Sequence, residues 1–335
     1  MGKFMDELAP KFADSSEPTL ADFKHKTIAW VIQKYLDDMP SIKPLGASHI
    51  YILRAVQRSA LGKKSAVTLK RSDVIDYCKL RRTQKVVRAQ RLVTAPTVNQ
   101  ELSYLVGAIK YVGSAAEGCE DITATVIKDT KPMLVKLGLI GKSKPRTRVP
   151  TDEELERLFA YFKERAGRSR VKISYAPVIL FALASTRRLG EICRMQHGDI
   201  DWQNPAGPMY TIRDVKHPTK KQGNHKTFAM LEPMPEIIRM QPRLTEDPTE
   251  RVFPFNSKSL SQGYAIAKRK LGINGLRFHD NRREAITRWL AKFKNPHKVK
   301  LISGHETTQI LERVYDATDP ATLHGEVAAL QRAAA

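Results

Sequence analysis

The chain has 335 residues, with 57 Lys plus Arg against 35 Asp plus Glu and a formal net charge of +22. That length accommodates two ordinary domains, and that charge suits nucleic acid, bound by long-range attraction and counterion release that weaken as salt rises. Cys78, Cys119 and Cys193 are scattered without CxxC or Cys/His spacing, which argues against a disulfide framework and against any metal site.

Taken in chain order, residues 1–20 lack sustained periodicity and are expected to be a flexible tail. A helical bundle is expected over 21–115. Ile28, Val31, Ile32, Tyr35 and Leu36 recur as one amphipathic stripe, Ile50, Leu53 and Val56 suggest a second helix, and Val98, Leu102, Leu105, Val106 and Ile109 a third with Thr97 as its N-cap. Between the last two lies the most basic stretch, with Lys63, Lys64, Lys70, Arg71, Arg81, Arg82, Lys85, Arg88 and Arg91 facing only Asp73 and Asp76. A charge run is usually a solvated face, but this imbalance points to a DNA-facing surface.

Residues 116–149 read as a basic linker, in which Lys142, Lys144 and Arg146 are further candidates for DNA contact. A second domain, 150–335, opens at a Thr151/Glu154 capping box followed by Leu155, Leu158, Phe159 and Phe162 at helical spacing. A helix over Val178 to Leu183 leads into Ser185-Thr-Arg-Arg and another helical turn from Glu191 to Met195. Met209 to Arg213 and Thr227 to Leu231 read as short strands joined through a Gly223-Asn224 turn. A last helix is expected after Asp319 and Pro320, with Leu323, Val327 and Leu330 on its apolar side.

Four segments of this second half resemble the tyrosine recombinase (phage integrase) family. Ser185-Thr-Arg-Arg-Leu-Gly-Glu-Ile-Cys193 is similar to the turn bearing the family's first catalytic arginine, which maps to Arg188 with Arg187 as the alternative. The strand pair is where the family keeps a catalytic lysine, matched by Lys216 with Lys220 and Lys221 as alternatives. His279 and Arg282 in Leu276-Arg-Phe-His-Asp-Asn-Arg-Arg resemble the His-x-x-Arg box, and His305 in Ser303-Gly-His the Gly-His box. Tyr315 follows in the region of the nucleophile. The family's tyrosine usually sits nine residues after the Gly-His histidine; here that position is Val314, so Tyr315 is turned by about 100° if the segment is a continuous helix.

The resemblance implies a mainly α fold: a helical core-binding domain plus an α-rich catalytic domain with a small antiparallel β-sheet and a C-terminal exchange helix. It implies site-specific recombination of double-stranded DNA at paired sites, through a 3′-phosphotyrosyl intermediate and a Holliday junction in a homotetramer, with an accessory directionality protein as a further partner. The residue types suit that chemistry. Two arginines bind the non-bridging oxygens of a phosphodiester bidentately, His305 adds a hydrogen bond, and His279 is placed to take the proton of a tyrosine whose ordinary pKa is near 10. Lys216 would protonate the leaving 5′-oxygen. A phosphotyrosine diester keeps the energy of the broken strand, so neither ATP nor a metal is expected to be needed. The rival readings are a catalytically silent, sequence-specific DNA-binding protein and a type IB topoisomerase-like enzyme. No run of about 18 apolar residues and no signal-peptide pattern is present, so a cytoplasmic, nucleoid-associated location is expected.

Overall fold

A computed structural model of the chain describes residues 23, 25–86, 90–114, 122–143, 146–166, 174–215, 223–309, 311–312, 327 and 331. It divides into two compact units, Met1–Pro145 and Arg146–Ala335.

The first unit packs α1 (Ile28–Ile42), α2 (Ala47–Gln57), α3 (Arg71–Thr83), α4 (Ala95–Gly113) and α5 (Ile122–Lys136) around one core. The α1 stripe is buried as its periodicity predicts, and Thr27 caps it by accepting from the Trp30 amide at 3.2 Å. In α2, Leu53 and Val56 are buried while Ile50 is exposed. Helix α4 starts two residues before the expected Thr97 cap. Thr94 is the capping position, and Pro96 sits in the first turn, where its missing N–H costs nothing. The basic stretch contains helix α3, which buries Val74, Tyr77 and Cys78, and a two-residue antiparallel ladder of β1 (Lys85–Val86) and β2 (Arg91–Leu92). The expected linker is largely a packed element instead: α5 buries Ala124, Ile127 and Leu134 in the same core as Ile28 and Leu102.

The second unit opens at α6 (Asp152–Ala166), where Thr151 and Glu154 form the expected reciprocal caps at 3.0 and 3.2 Å. Helix α7 (Ala176–Ser185) is apolar all round and buries Val178, Ile179, Phe181 and Ala182, as a helix enclosed by others must. Around it lie α8 (Leu189–Ile192), α9 (Met234–Arg239) and α11 (Phe278–Phe293). Trp289 of α11 donates its indole N–H to the Ala184 carbonyl at 2.8 Å, pinning α11 to the end of α7. Helix α10 (Ser257–Lys270) packs on α6 and α11, and α12 (Pro296–Ser303) follows α11.

The sheet is antiparallel in the order β3 (Ile200–Asp201), β4 (Met209–Ile212), β5 (Lys226–Ala229). The expected strand pair is present in the register Met209↔Ala229 to Ile212↔Lys226, and β3 adds a third, short strand. Gly223 adopts φ +68° at the expected turn position. The Asn224 side-chain amide donates to the Val215 carbonyl, and the Val215 amide to the Asn224 carbonyl, both at 2.8 Å.

Candidate active site

Two turns and one helix build the site. Helix α7 ends at Thr186, whose φ of +58° is left-handed, a conformation costing a β-branched residue roughly 1–3 kcal/mol. That geometry lets the chain break and restart at once, so Arg188 becomes the N-cap of α8. Glu191 accepts from the Arg188 backbone N–H at 3.0 Å and from its guanidinium at 2.7 Å. Arg188 keeps about a third of its side chain exposed, 34%, while Glu191 is buried. Burial opposes ionisation of Glu191, but the Arg188 amide and the charges of Arg188 and Arg187 hold its pKa below the usual range.

The second turn is the end of α12, where Gly304 takes φ +69° and His305 follows. A β-carbon on Gly304 would lie 3.0 Å from Phe228 Cζ of β5, so this position needs glycine both for its φ and for space. His305 Nδ1 lies 2.7 Å from Ser303 Oγ and its Nε2 3.2 Å from an Arg282 nitrogen. A guanidinium can only donate, so Nε2 is the acceptor and Nδ1 carries the proton. His305 is thus a neutral ring here. Burial, then the charges of Arg282, Arg188 and Arg187, push its pKa down to about 4.

Helix α11 supplies the third part. Its N-terminus is closed by Asp280, which accepts from the Arg277 amide at 2.7 Å and from Arg146 at 2.8 and 2.6 Å. Arg282 is buried one turn on. It donates to the Thr186 carbonyl at 2.5 Å and the Ser303 carbonyl at 3.2 Å, besides His305. These bonds use three of its five N–H groups. Desolvation and the neighbouring arginines Arg188 and Arg187 lower its pKa to about 9. His279, solvent-accessible on the same helix, is held below the ordinary histidine value by desolvation and by Arg282, Arg188 and Arg283.

The structure therefore brings Arg188, His279, Arg282 and His305 into one electrostatic neighbourhood. Lys216 with its alternatives Lys220 and Lys221, Tyr315 and the expected exchange helix over 319–330, apart from Val327, lie outside the described residues. Arg187, the alternative for Arg188, is 1% exposed and bonded to backbone, which leaves Arg188 as the arginine facing solvent. Sequence reasoning missed this use of Arg187, and also Ser303 and Asp280; all three lie inside the quoted boxes, which gave their positions but not their partners. Among the described residues no cluster of His, Cys, Asp and Glu is disposed to hold a metal ion, and no helix is long and apolar enough to cross a membrane.

In the first unit, Lys63, Lys64, Lys70, Arg71, Lys85 and Arg91 are exposed, as is Lys142; Arg88 and Lys144 lie outside the described residues. Of the exposed ones, Lys64 pairs with Asp73 at 2.7 Å, and three other candidates also have protein partners. Arg81 makes a two-pronged contact with buried Glu101, at 2.8 and 3.0 Å, Arg82 donates to the Val93 carbonyl, and Arg146 is the Asp280 partner described above.

Residues 148–321, just over half of the chain, match the phage integrase family. The chain belongs to that family. A Haemophilus influenzae protein assigned as an integrase/recombinase is 30% identical over 193 residues, 57% of this chain and 60% of that protein, so the match spans less than two thirds of the relative. A shufflon-specific DNA recombinase of Escherichia coli is 22% identical over 288 residues, 86% of this chain and 68% of the relative. Two solved structures share the fold. The Tn1549 transposon integrase in complex with transposon right end DNA has a TM-score of 0.63 at 14% identity, covering 92% of this chain and 100% of that one. A lambda integrase dimer bound to a core site has a TM-score of 0.59 at 13% identity, covering 84% and 94%. Phage integrases are the tyrosine recombinases, enzymes that break and rejoin DNA, and all six proposed catalytic positions of this member fall within the matched range.

Proposed function

We propose that the chain is a site-specific DNA recombinase that cuts and rejoins DNA through a 3′-phosphotyrosyl bond. The observation that carries the reading is the surplus of positive charge where α7 and α12 end and α11 begins: Arg187, Arg188 and Arg282 share one pocket with Glu191 as the acid among their described neighbours. A phosphodiester supplies the missing negative charge, and more of it accumulates on the non-bridging oxygens in the transition state, where fixed donors stabilise it most.

In this reading Tyr315 attacks phosphorus, the P–O bond to the tyrosine forms and the bond to the 5′-oxygen breaks. Arg188 and the remaining donors of Arg282 bind the non-bridging oxygens. His279, neutral near pH 7 because its pKa is lowered, accepts the tyrosine proton, and Lys216 gives a proton to the departing 5′-oxygen. Reversal of these steps with a new 5′-hydroxyl rejoins the strand without ATP or metal. Paired duplex sites, a homotetramer, a Holliday junction and an accessory directionality protein belong to the same reading. The E. coli relative is a shufflon-specific DNA recombinase, which supports it.

The position of Tyr315, one residue beyond the family spacing, favours a second reading: binding without cutting. The experiment incubates wild type and Tyr315→Phe with a fragmented DNA library, denatures, and recovers covalently attached fragments. Fragments sharing a sequence and recovered with wild type alone support recombination chemistry. Binding by both proteins with no adduct from either makes the chain a silent DNA-binding protein. Relaxation of supercoiled DNA lacking paired sites would mark a topoisomerase instead.

A further inference from the structure

Among the described residues Arg187 is the largest fully buried side chain, and it carries a charge. A buried guanidinium normally faces a carboxylate, since taking an ion out of water costs several kcal/mol unless it is paired or fully hydrogen-bonded. Arg187 is held by three hydrogen bonds from two of its nitrogens and by an aromatic ring face. Its Nε donates to the Ser185 carbonyl at 3.1 Å; one terminal nitrogen reaches Thr186 Oγ1 at 3.1 Å and the Ile302 carbonyl. Its Cζ lies over the Phe228 ring, 3.9 Å from the centroid, an attraction that strengthens when water is excluded. Gly304 closes the far edge, with its would-be β-carbon 3.4 Å from an Arg187 nitrogen.

These contacts join the turn that presents Arg188 to the turn that presents His305. Thr186 adds a bond of its own from Oγ1 to the Ile302 carbonyl, 3.3 Å. Nothing in the arrangement exposes Arg187 to DNA, so it acts through its neighbours.

We propose that Arg187 is a positioning residue for strand cleavage: its buried guanidinium, set over Phe228, fixes the Arg188 turn against the His305 turn. The inference rests on the recombinase reading above. It also makes Arg187 part of the field that keeps His305 neutral. The charged groups around His305 are Arg282 from α11, Arg188 and Arg187 from the α7–α8 turn, and Glu191 from α8. The Lys226–Glu306 ion pair ties β5 to the residue after it.

The test compares wild type, Arg187→Met, Arg187→Lys and Phe228→Leu in single-turnover formation of the covalent adduct on duplex DNA recovered from the library selection. The readout separates rate constant from amplitude. Loss of positioning lowers the rate constant: about 100-fold for Arg187→Met, less for Phe228→Leu, and within about tenfold of wild type for Arg187→Lys, which keeps a charge and a donor. DNA affinity stays within about threefold. A residue that only stabilised the fold would lose amplitude with an unchanged rate constant, and that result overturns the proposal.

A second measurement needs no cleavage. Histidine ring NMR of the DNA-free protein, assigned with His305→Gln, follows the titration of His305. Arg187→Met is expected to raise its pKa clearly above the wild-type value. An unmoved titration would show that Arg187 does not shape the His305 environment, and would overturn the proposal even if wild type formed no adduct. Absence of a wild-type adduct alone would instead defeat the recombinase reading.

Discussion

Arg187 donates to the carbonyls of Ser185 and Ile302, and Arg282 to those of Thr186 and Ser303, so two guanidiniums tie consecutive residues of one turn to consecutive residues of the other. Two like charges held this close repel, and the lowered pKa of Arg282, about 9, reflects burial first, then the charge of Arg188, then that of Arg187. The brace is therefore an under-neutralised structure. It spends backbone carbonyls to keep cations where an anion will be needed.

Removing one arm should be costly. Arg282→Ala leaves the Thr186 and Ser303 carbonyls and His305 Nε2 without their donor, at about 1–3 kcal/mol for each buried group left unsatisfied. We expect urea unfolding of the second unit to show a loss of about 3–5 kcal/mol, with roughly half that for Arg282→Lys. A loss under about 1 kcal/mol for the alanine variant would mean that the two turns are held together by other contacts.

The fold was legible where burial follows local periodicity: the α1 stripe, the Thr151/Glu154 caps and the paired strands all sit where their patterns put them. Helix α3 was hidden because Val74, Tyr77 and Cys78 are thinly spread among charges. Helix α5 was hidden because Pro132 lies inside it, and proline argues against a helix interior. At the site, the boxes named the residue types in order. They did not reveal the brace, because its partners Phe228 and Ile302 are distant in sequence and contribute a ring face and a carbonyl, which no motif encodes.

Acid should weaken the protein through His305. Its folded-state pKa of about 4 lies below the ordinary histidine value of 6.5, so between those two values the unfolded chain binds the proton and the folded one does not. The stabilising contribution is complete above about pH 6.5 and is lost as pH falls towards 4. At about 1.4 kcal/mol per pKa unit it amounts to roughly 3.5 kcal/mol at most. His279, also lowered, adds in the same direction. Stability measured by urea at pH 7 and pH 4.5 should fall less in His305→Gln than in wild type. An equal fall in both would show that His305 does not titrate between those values.

Gly304→Ala is expected to damage the site more than its size suggests. The φ of +69° costs an alanine roughly 1 kcal/mol, and its β-carbon would meet Phe228 Cζ at 3.0 Å. The ring must then move from under Arg187. We expect a loss of about 1–3 kcal/mol in urea unfolding together with slower adduct formation. Phe228→Leu in the Gly304→Ala background should recover part of the stability by making room. If the double variant is worse by the full sum of the two single losses, the clash is not with Phe228.

Salt titration of DNA binding should divide the basic residues of the first unit into two groups. Lys85 and Arg91 are exposed on the β1–β2 ladder, so replacing either with alanine should reduce the slope of log affinity against log salt by about 1, the signature of one lost phosphate contact. Arg81 is committed elsewhere. Its guanidinium clasps Glu101, which is 1% exposed and also accepts from the Tyr77 hydroxyl at 2.8 Å. Arg81→Ala strands that carboxylate, so the expected result is a stability loss of about 3–5 kcal/mol with an unchanged salt slope for the protein that remains folded. Glu101→Gln, which removes the charge but keeps hydrogen-bonding atoms in place, should soften the loss when combined with Arg81→Ala. A fall in salt slope with intact stability would return Arg81 to the DNA-binding face. The Tyr77–Glu101–Arg81 network would then be dispensable, which its burial argues against.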